Sequence, residues 1–316
     1  MTFARRLRRL LTVISVLVVF TGALLYFGPG VREWYVLRDF TPSAEISQLA
    51  TDTAMTDRAR RMFYLNNPQV LDRSEFNERC QGAGGEQTIV LGCYHSPQRG
   101  IFVFRVDEAE LHGIEQVTAA HEMLHAAYDR LSSRERRHID ALLTNYYEHD
   151  LKDERIRSVM RTYTKTEPHD LANEMHSIFG TEIAELPPEL EKHYAQYFTD
   201  RSVVVQFAHQ YQAAFSRRQD NIAAYDTQLS AMESRIKENE GQLDILAAAL
   251  RNDRQRVESS GSQAEVNAYN QRVADYNALL QETNTLVQEY NALVETRNAI
   301  ALEQKQLQQS INSGIH

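Results

Sequence analysis

Five consecutive residues of this chain have the types and spacing to do metal chemistry: His121, Glu122, Met123, Leu124 and His125. On a helix, positions i and i+4 lie on one face, one turn apart. Two imidazoles so placed can share one zinc ion, and Glu122 between them can reach a water held on that ion. The pattern fixes only three residue types. The plain alternative is a helix with two satisfied surface histidines, so the surroundings must carry the argument.

Zinc in a hydrolytic site takes three protein ligands and keeps one position for water. A continuation as H-E-x-x-H-x-x-G-x-x-H is excluded, because Tyr128 stands where the glycine belongs and Leu131 where the third histidine belongs. The best source is the segment from Leu171 to Glu182, which reads as helical. Glu174 lies 49 positions beyond His125. Glu174 and His176 are two apart, so they point to nearly opposite sides of a helix. Glu174 is preferred as the metal ligand. It sits among Leu171, Met175 and Ile178, where a carboxylate is costly unless paired or metal-bound. A salt-bridged or capping glutamate is the alternative. With zinc bound, Glu122 is placed to act as general base. For the residue that stabilises an oxyanion, His112, Tyr163, His169 and His176 all remain open.

His121, Glu122 and His125, with Asn173-Glu174 downstream, make residues 87 to 182 resemble the gluzincin group of zinc metallopeptidases. The resemblance implies an α+β zincin-like domain, Zn2+ as cofactor, peptide or protein substrates, and an edge strand beside the motif helix. Members often carry an acidic residue four positions after the ligand glutamate, supporting a zinc histidine. Here that position is Ile178, which leaves the supporting residue unidentified.

The elements that must position these groups are legible in part. Thr41-Pro42-Ser43-Ala44-Glu45 reads as a helix start, with Pro in the first turn and Glu at the positive end, and Met55-Thr56-Asp57 begins another. The β-branched and aromatic runs from Thr88 to Tyr94 and Ile101 to Val106, joined by Ser96-Pro97-Gln98-Arg99-Gly100, read as a hairpin. The motif helix should run from Ile114 to about Leu131. Ser132 and Glu135 have capping-box spacing for the next helix. Thr166-Glu167-Pro168 should open another, with Gly180 placed to stop it, and Pro187-Pro188 one more. Cys80 and Cys93 are the only cysteines. A disulfide between them is expected against two unrelated buried thiols. A metal pair is disfavoured for want of a Cys-x-x-Cys.

Around this domain the composition changes twice. Residues 1–9 hold Arg5, Arg6, Arg8 and Arg9, and the 18 residues from Leu10 to Phe27 carry no charge. A stretch of that length just spans a bilayer. The arginines should remain cytoplasmic and place the rest of the chain outside the cytoplasm, in the cell envelope. A cleaved signal peptide is the rival, but no small-x-small site follows. From about Asp200 proline vanishes. Ile222, Tyr225, Leu229, Met232, Ile236, Leu243, Leu246, Leu250 and Val257 form a heptad seam, with Asn239 and Asp253 in the skipped places. After Ser259 to Ser262, Val266, Val273, Leu280, Val287 and Val294 recur every seventh residue. So do Asn270, Asn277, Asn284, Asn291 and Asn298, read as lining the seam margin. Two such arms should fold back as an antiparallel coiled-coil hairpin, each roughly 75 Å long.

The expected chain is therefore mainly α with a small β-hairpin. It has a transmembrane helix at 10–27, a metallopeptidase domain at 31–199 and a coiled-coil hairpin at 200–316 that can recruit a protein partner. The 316 residues carry a net charge of −9, which disfavours nucleic acid. A hydrophobic fraction of 42% with a mean hydropathy of −0.49 fits a globular core joined to a solvated helical arm. A non-enzymatic coiled-coil envelope scaffold with a degenerate metal domain is the second reading. The intact Glu122 disfavours it.

Overall fold

The computed structural model describes residues 33–81, 91–166 and 168–314, with scattered positions between 14 and 31. Most of the expected span at 10–27 lies outside the described residues, as does the first half of the expected Thr88 to Tyr94 strand. Among the described residues no helix is long and apolar enough to cross a membrane.

The chain is mainly helical with one small sheet. In order it forms α1 (Ala44–Asp52), α2 (Asp57–Leu65), β1 (Gln69–Leu71), α3 (Arg73–Cys80), β2 (Gly92–His95), β3 (Gly100–Phe104), α4 (Ile114–Asp129) and α5 (Ser133–Asn145). Then come α6 (Glu154–Thr166), α7 (Leu171–Glu182), α8 (Pro188–Tyr194), α9 (Ser202–Ser260) and α10 (Gln263–Ser310). Two compact units result, one of residues 1–211 with 311–316 and one of residues 212–310.

In the first unit the helix starts follow from side-chain caps. Ser43 accepts from the Ile46 amide and Thr56 from the Ala59 amide, both at 3.2 Å. Ser132 and Glu135 make the reciprocal capping box. The sheet order is β1-β3-β2, with β3 parallel to β1 and antiparallel to β2. The hairpin is therefore present, and among the described residues β2 is an edge strand. A disulfide joins Cys80 at the end of α3 to Cys93 in β2.

α4 is the centre of the core. Ala119, Ala120, Met123, Leu124, Ala126 and Ala127 are all buried, and the alanines let neighbours approach closely. One such neighbour is α7. There the expectation that Gly180 stops the helix is corrected, since it lies inside α7. A Cβ at this position would come within 2.5 Å of Leu124 Cδ1 and 2.7 Å of Tyr194 Cε1. Glycine is there for helix packing, not for termination. Two boundaries also differ from expectation. An additional helix, α6, fills Glu154–Thr166, and Pro168 stands in the turn between α6 and α7. The first turns of α9 belong to this unit, with Val204, Val205 and Ala208 in its interior.

The second unit is a pair of antiparallel arms. Arg218 pairs with Glu303, Asp226 with Arg297, Arg235 with Glu282 and Asp253 with Arg272. The α9 seam is the expected one, and Asn239 and Asp253 are buried in it. On α10 the expected Val266, Val273, Val287 and Val294 are half-buried, beside a more buried set. Thr283, Leu286, Gln304 and Leu307 are its buried residues, with Tyr269, Tyr276 and Tyr290 half-buried in phase with them, whereas Leu280 is exposed. All five asparagines of the ladder are exposed, so they do not line the seam margin. A seven-residue repeat fixes a helix's pitch but not its phase. Here the tyrosines and the Leu279/Leu286/Leu293 set turn inward.

Candidate metal centre

α4 and α7 cross so that His121, His125 and Glu174 meet. His121 Nε2 and His125 Nε2 are 2.9 Å apart. Glu174 Oε1 lies 3.5 Å from His125 Nε2, and Oε2 lies 3.8 Å from His121 Nε2. Donor atoms each ~2.1 Å from a shared ion at tetrahedral angles are roughly 3.4 Å apart, so these three fit zinc with one corner left over. The donor chemistry fits as well, with two borderline nitrogens and one carboxylate. His121 keeps 18% side-chain exposure, while His125 is buried.

His125 is oriented by Asn173. Its Nδ1 donates to Asn173 Oδ1 at 3.0 Å, which leaves the Nε2 lone pair to face His121 and Glu174. Asn173 thus stands where a residue supporting His125 would be needed, if the group binds a metal. It comes from the position before Glu174, not from the fourth position after it. Ile178 instead packs into the core. The signal was present in the Asn173-Glu174 pair. Burial, and then the neighbouring His125, hold the His121 imidazole well below the usual histidine range. A neutral imidazole is the form that binds metal.

Glu122 is buried next to β2. A Cβ at Gly92 would fall 2.5 Å from Glu122 Oε1 and 2.5 Å from Thr118 Cγ2. Only glycine lets the edge strand lie this close to the carboxylate. β2 then runs along α4 towards Asp129, whose Oδ2 accepts from Tyr94 Oη at 3.0 Å and from Ser96 Oγ. The disulfide at Cys93, the Gly92 contact and the Asp129 clamp together hold the strand against the motif helix.

The other sequence candidates sit elsewhere. His176 is on the opposite side of α7, fully buried, with its Nε2 2.9 Å from His193 Nε2. His112 meets the Phe207 ring edge-on. Tyr163 is buried in the core and His169 is exposed ahead of α7. A second set of close donors, Cys80, Cys93 and His95, is taken up by the disulfide. Compared with protein-family models, curated proteins and solved structures, the chain matches none.

Proposed function

We propose that this chain is a membrane-anchored, extracytoplasmic zinc metallopeptidase of gluzincin type. The observation that carries the reading is the convergence of His121, His125 and Glu174 from two crossing helices, with Glu122 buried against an edge strand. Zinc held by the trio would supply Lewis acidity, lowering a water's pKa to about 7 and polarising a carbonyl. Glu122 takes the proton of the attacking water and passes it to the leaving amine. Asn173 keeps His125 in the tautomer that binds metal. The outer edge of β2 offers backbone groups along which a peptide can lie extended as one more strand. The disulfide supports a location outside the cytoplasm.

Glu122→Gln keeps the size and polarity of the side chain but cannot accept a proton. The full chain, purified in detergent, should hold about one zinc per molecule in both forms. Cleavage of a mixed peptide library should fall about 10²- to 10⁴-fold in the variant. Equal cleavage by both forms would remove Glu122 from the mechanism. Absence of zinc from the wild type would remove the whole reading and favour the envelope scaffold, whose supporting feature is the hairpin of 59- and 48-residue helices.

A further inference from the structure

The residues just after the apolar N-terminal stretch leave an unusual surface. Val31, Trp34 and Tyr35 are 61%, 61% and 66% exposed. Together with Arg38 they take positions i, i+3, i+4 and i+7, which is one face of a helix. The Arg38 guanidinium lies over both rings, 5.8 Å from Trp34 and 5.7 Å from Tyr35. Beside this face is a cavity of about 710 Å³ whose lining includes Trp34, Leu37, Arg38, Arg58, Arg61 and Arg130. Four arginines line it with a single carboxylate, Glu33, in a chain whose net charge is −9; Arg58 also hydrogen-bonds Gln196 and Arg61 the Asp57 carbonyl. Glu33 meets Arg130 Nη2 at 3.3 Å, while Arg130 Nη1 is buried with no hydrogen-bond partner among the described residues. Among the described residues Arg38 is ion-paired only with the exposed Asp39, and such a pair contributes little.

We infer that this face is a seat for the headgroups of anionic phospholipids. Trp34 and Tyr35 enter the interfacial layer of the bilayer, and Arg38, Arg58, Arg61 and Arg130 receive lipid phosphate. The inference rests on the membrane-anchor part of the reading above. Chain length argues for a bilayer over a free anion. Trp34 is seven residues past Phe27, a reach of at most ~25 Å from the apolar stretch. Tethered at that range, a site that is weak in solution is filled by effective concentration. Aromatic rings with one polar end are the side chains that settle at the headgroup level. Guanidinium forks suit phosphate, and a soluble phosphate pocket has no use for Val31 and Tyr35 open to water.

Trp34 is the chain's only tryptophan, so its fluorescence reports this face alone. The full chain is reconstituted into vesicles of phosphatidylcholine, with or without phosphatidylglycerol, and floated on a density gradient. With phosphatidylglycerol, Trp34 emission should shift to the blue. It should be quenched by lipids brominated near the headgroup and shielded from acrylamide. The double variant Arg58→Gln/Arg61→Gln, both positions exposed, should lose the phosphatidylglycerol-dependent part of the shift with unchanged circular dichroism. Acrylamide access equal to that in detergent would overturn the proposal. So would the same shift produced by inorganic phosphate on the detergent-solubilised chain, which would make the site one for a free anion. Failure to float would overturn the anchor, and this inference with it. Zinc content and peptide cleavage read the metal centre separately.

Discussion

Two histidine pairs lie on either side of α7, and both have their Nε2 atoms 2.9 Å apart. By nitrogen geometry alone they are the same object, but their surroundings differ. His121 and His125 face the Glu174 carboxylate, and the His121 side chain keeps 18% exposure. His176 and His193 are enclosed by the rings of Tyr194 and Tyr197, with Tyr128 also against His176. Among the described residues no carboxylate or thiolate completes a set of three with them. The first pair has a counter-charge for a cation. The second has no carboxylate at its nitrogens among the described residues, and its two rings hydrogen-bond each other through Nε2. Closeness of imidazoles is therefore not a metal site. The anionic third donor is what makes the first pair the candidate.

The largest effect that could break this comparison comes from exchanging the roles of Glu174 and His176. Glu174→Ala should lower zinc affinity by more than the 10- to 100-fold typical of outer-shell partners. His176→Ala should leave zinc in place. It should instead cost stability, on the order of 2 kcal/mol or more, through a cavity and the unpaired His193. Metal analysis and thermal melts of both variants decide it. Zinc retained in Glu174→Ala and lost in His176→Ala would exchange the two assignments.

Acid sharpens the contrast. Burial, and then Arg58 nearby, push His193 from the ordinary 6.5 down to about 4, while Glu135 opposes. Between those values the unfolded chain binds a proton at His193 that the folded chain does not. The stability this neutral histidine contributes is complete above about pH 6.5 and lost as pH falls towards 4, roughly 3 kcal/mol in all. His193→Gln keeps a hydrogen-bonding group and cannot titrate. Urea unfolding across that window should show a shallower acid limb in the variant, by up to about one proton. Identical slopes would mean that His193 titrates as an exposed histidine does.

What could be seen in the sequence was local. The grouping of His121, His125 and Glu174 follows from helical periodicity and from the cost of a carboxylate among Leu171, Met175 and Ile178. The α9 seam needed only its steps of three and four. What escaped depended on how elements cross. A glycine that ends a helix and one that lets two helices touch are the same letter, so Gly180 reads as the first while serving as the second. In α10 two seven-residue sets share the inner side, and which is buried more deeply depends on what the facing arm presents. α6 did carry a signal. Ile156, Val159, Met160 and Tyr163 stand at i, i+3, i+4 and i+7, the stripe of an amphipathic helix.

The support of His125 escaped for the same reason, and it gives the smallest and most specific test. Had α7 crossed α4 at a wider spacing, a longer side chain would have been needed to reach the imidazole. With Gly180 against Leu124 and Tyr194, the short amide of Asn173 reaches Nδ1 at 3.0 Å. Asn173→Ala removes that acceptor without touching a ligand atom. His125 can then carry its proton on Nε2, the nitrogen zinc needs, and must give it up to bind. Zinc affinity should fall about 10- to 100-fold. Asn173→Asp, which restores an acceptor on Nδ1–H, should recover most of it. Competition with a chelator of known strength measures both, with circular dichroism as the check on folding. If alanine and aspartate give the same affinity as asparagine, the contact is packing only, and the second nitrogen of His125 is set by something other than α7.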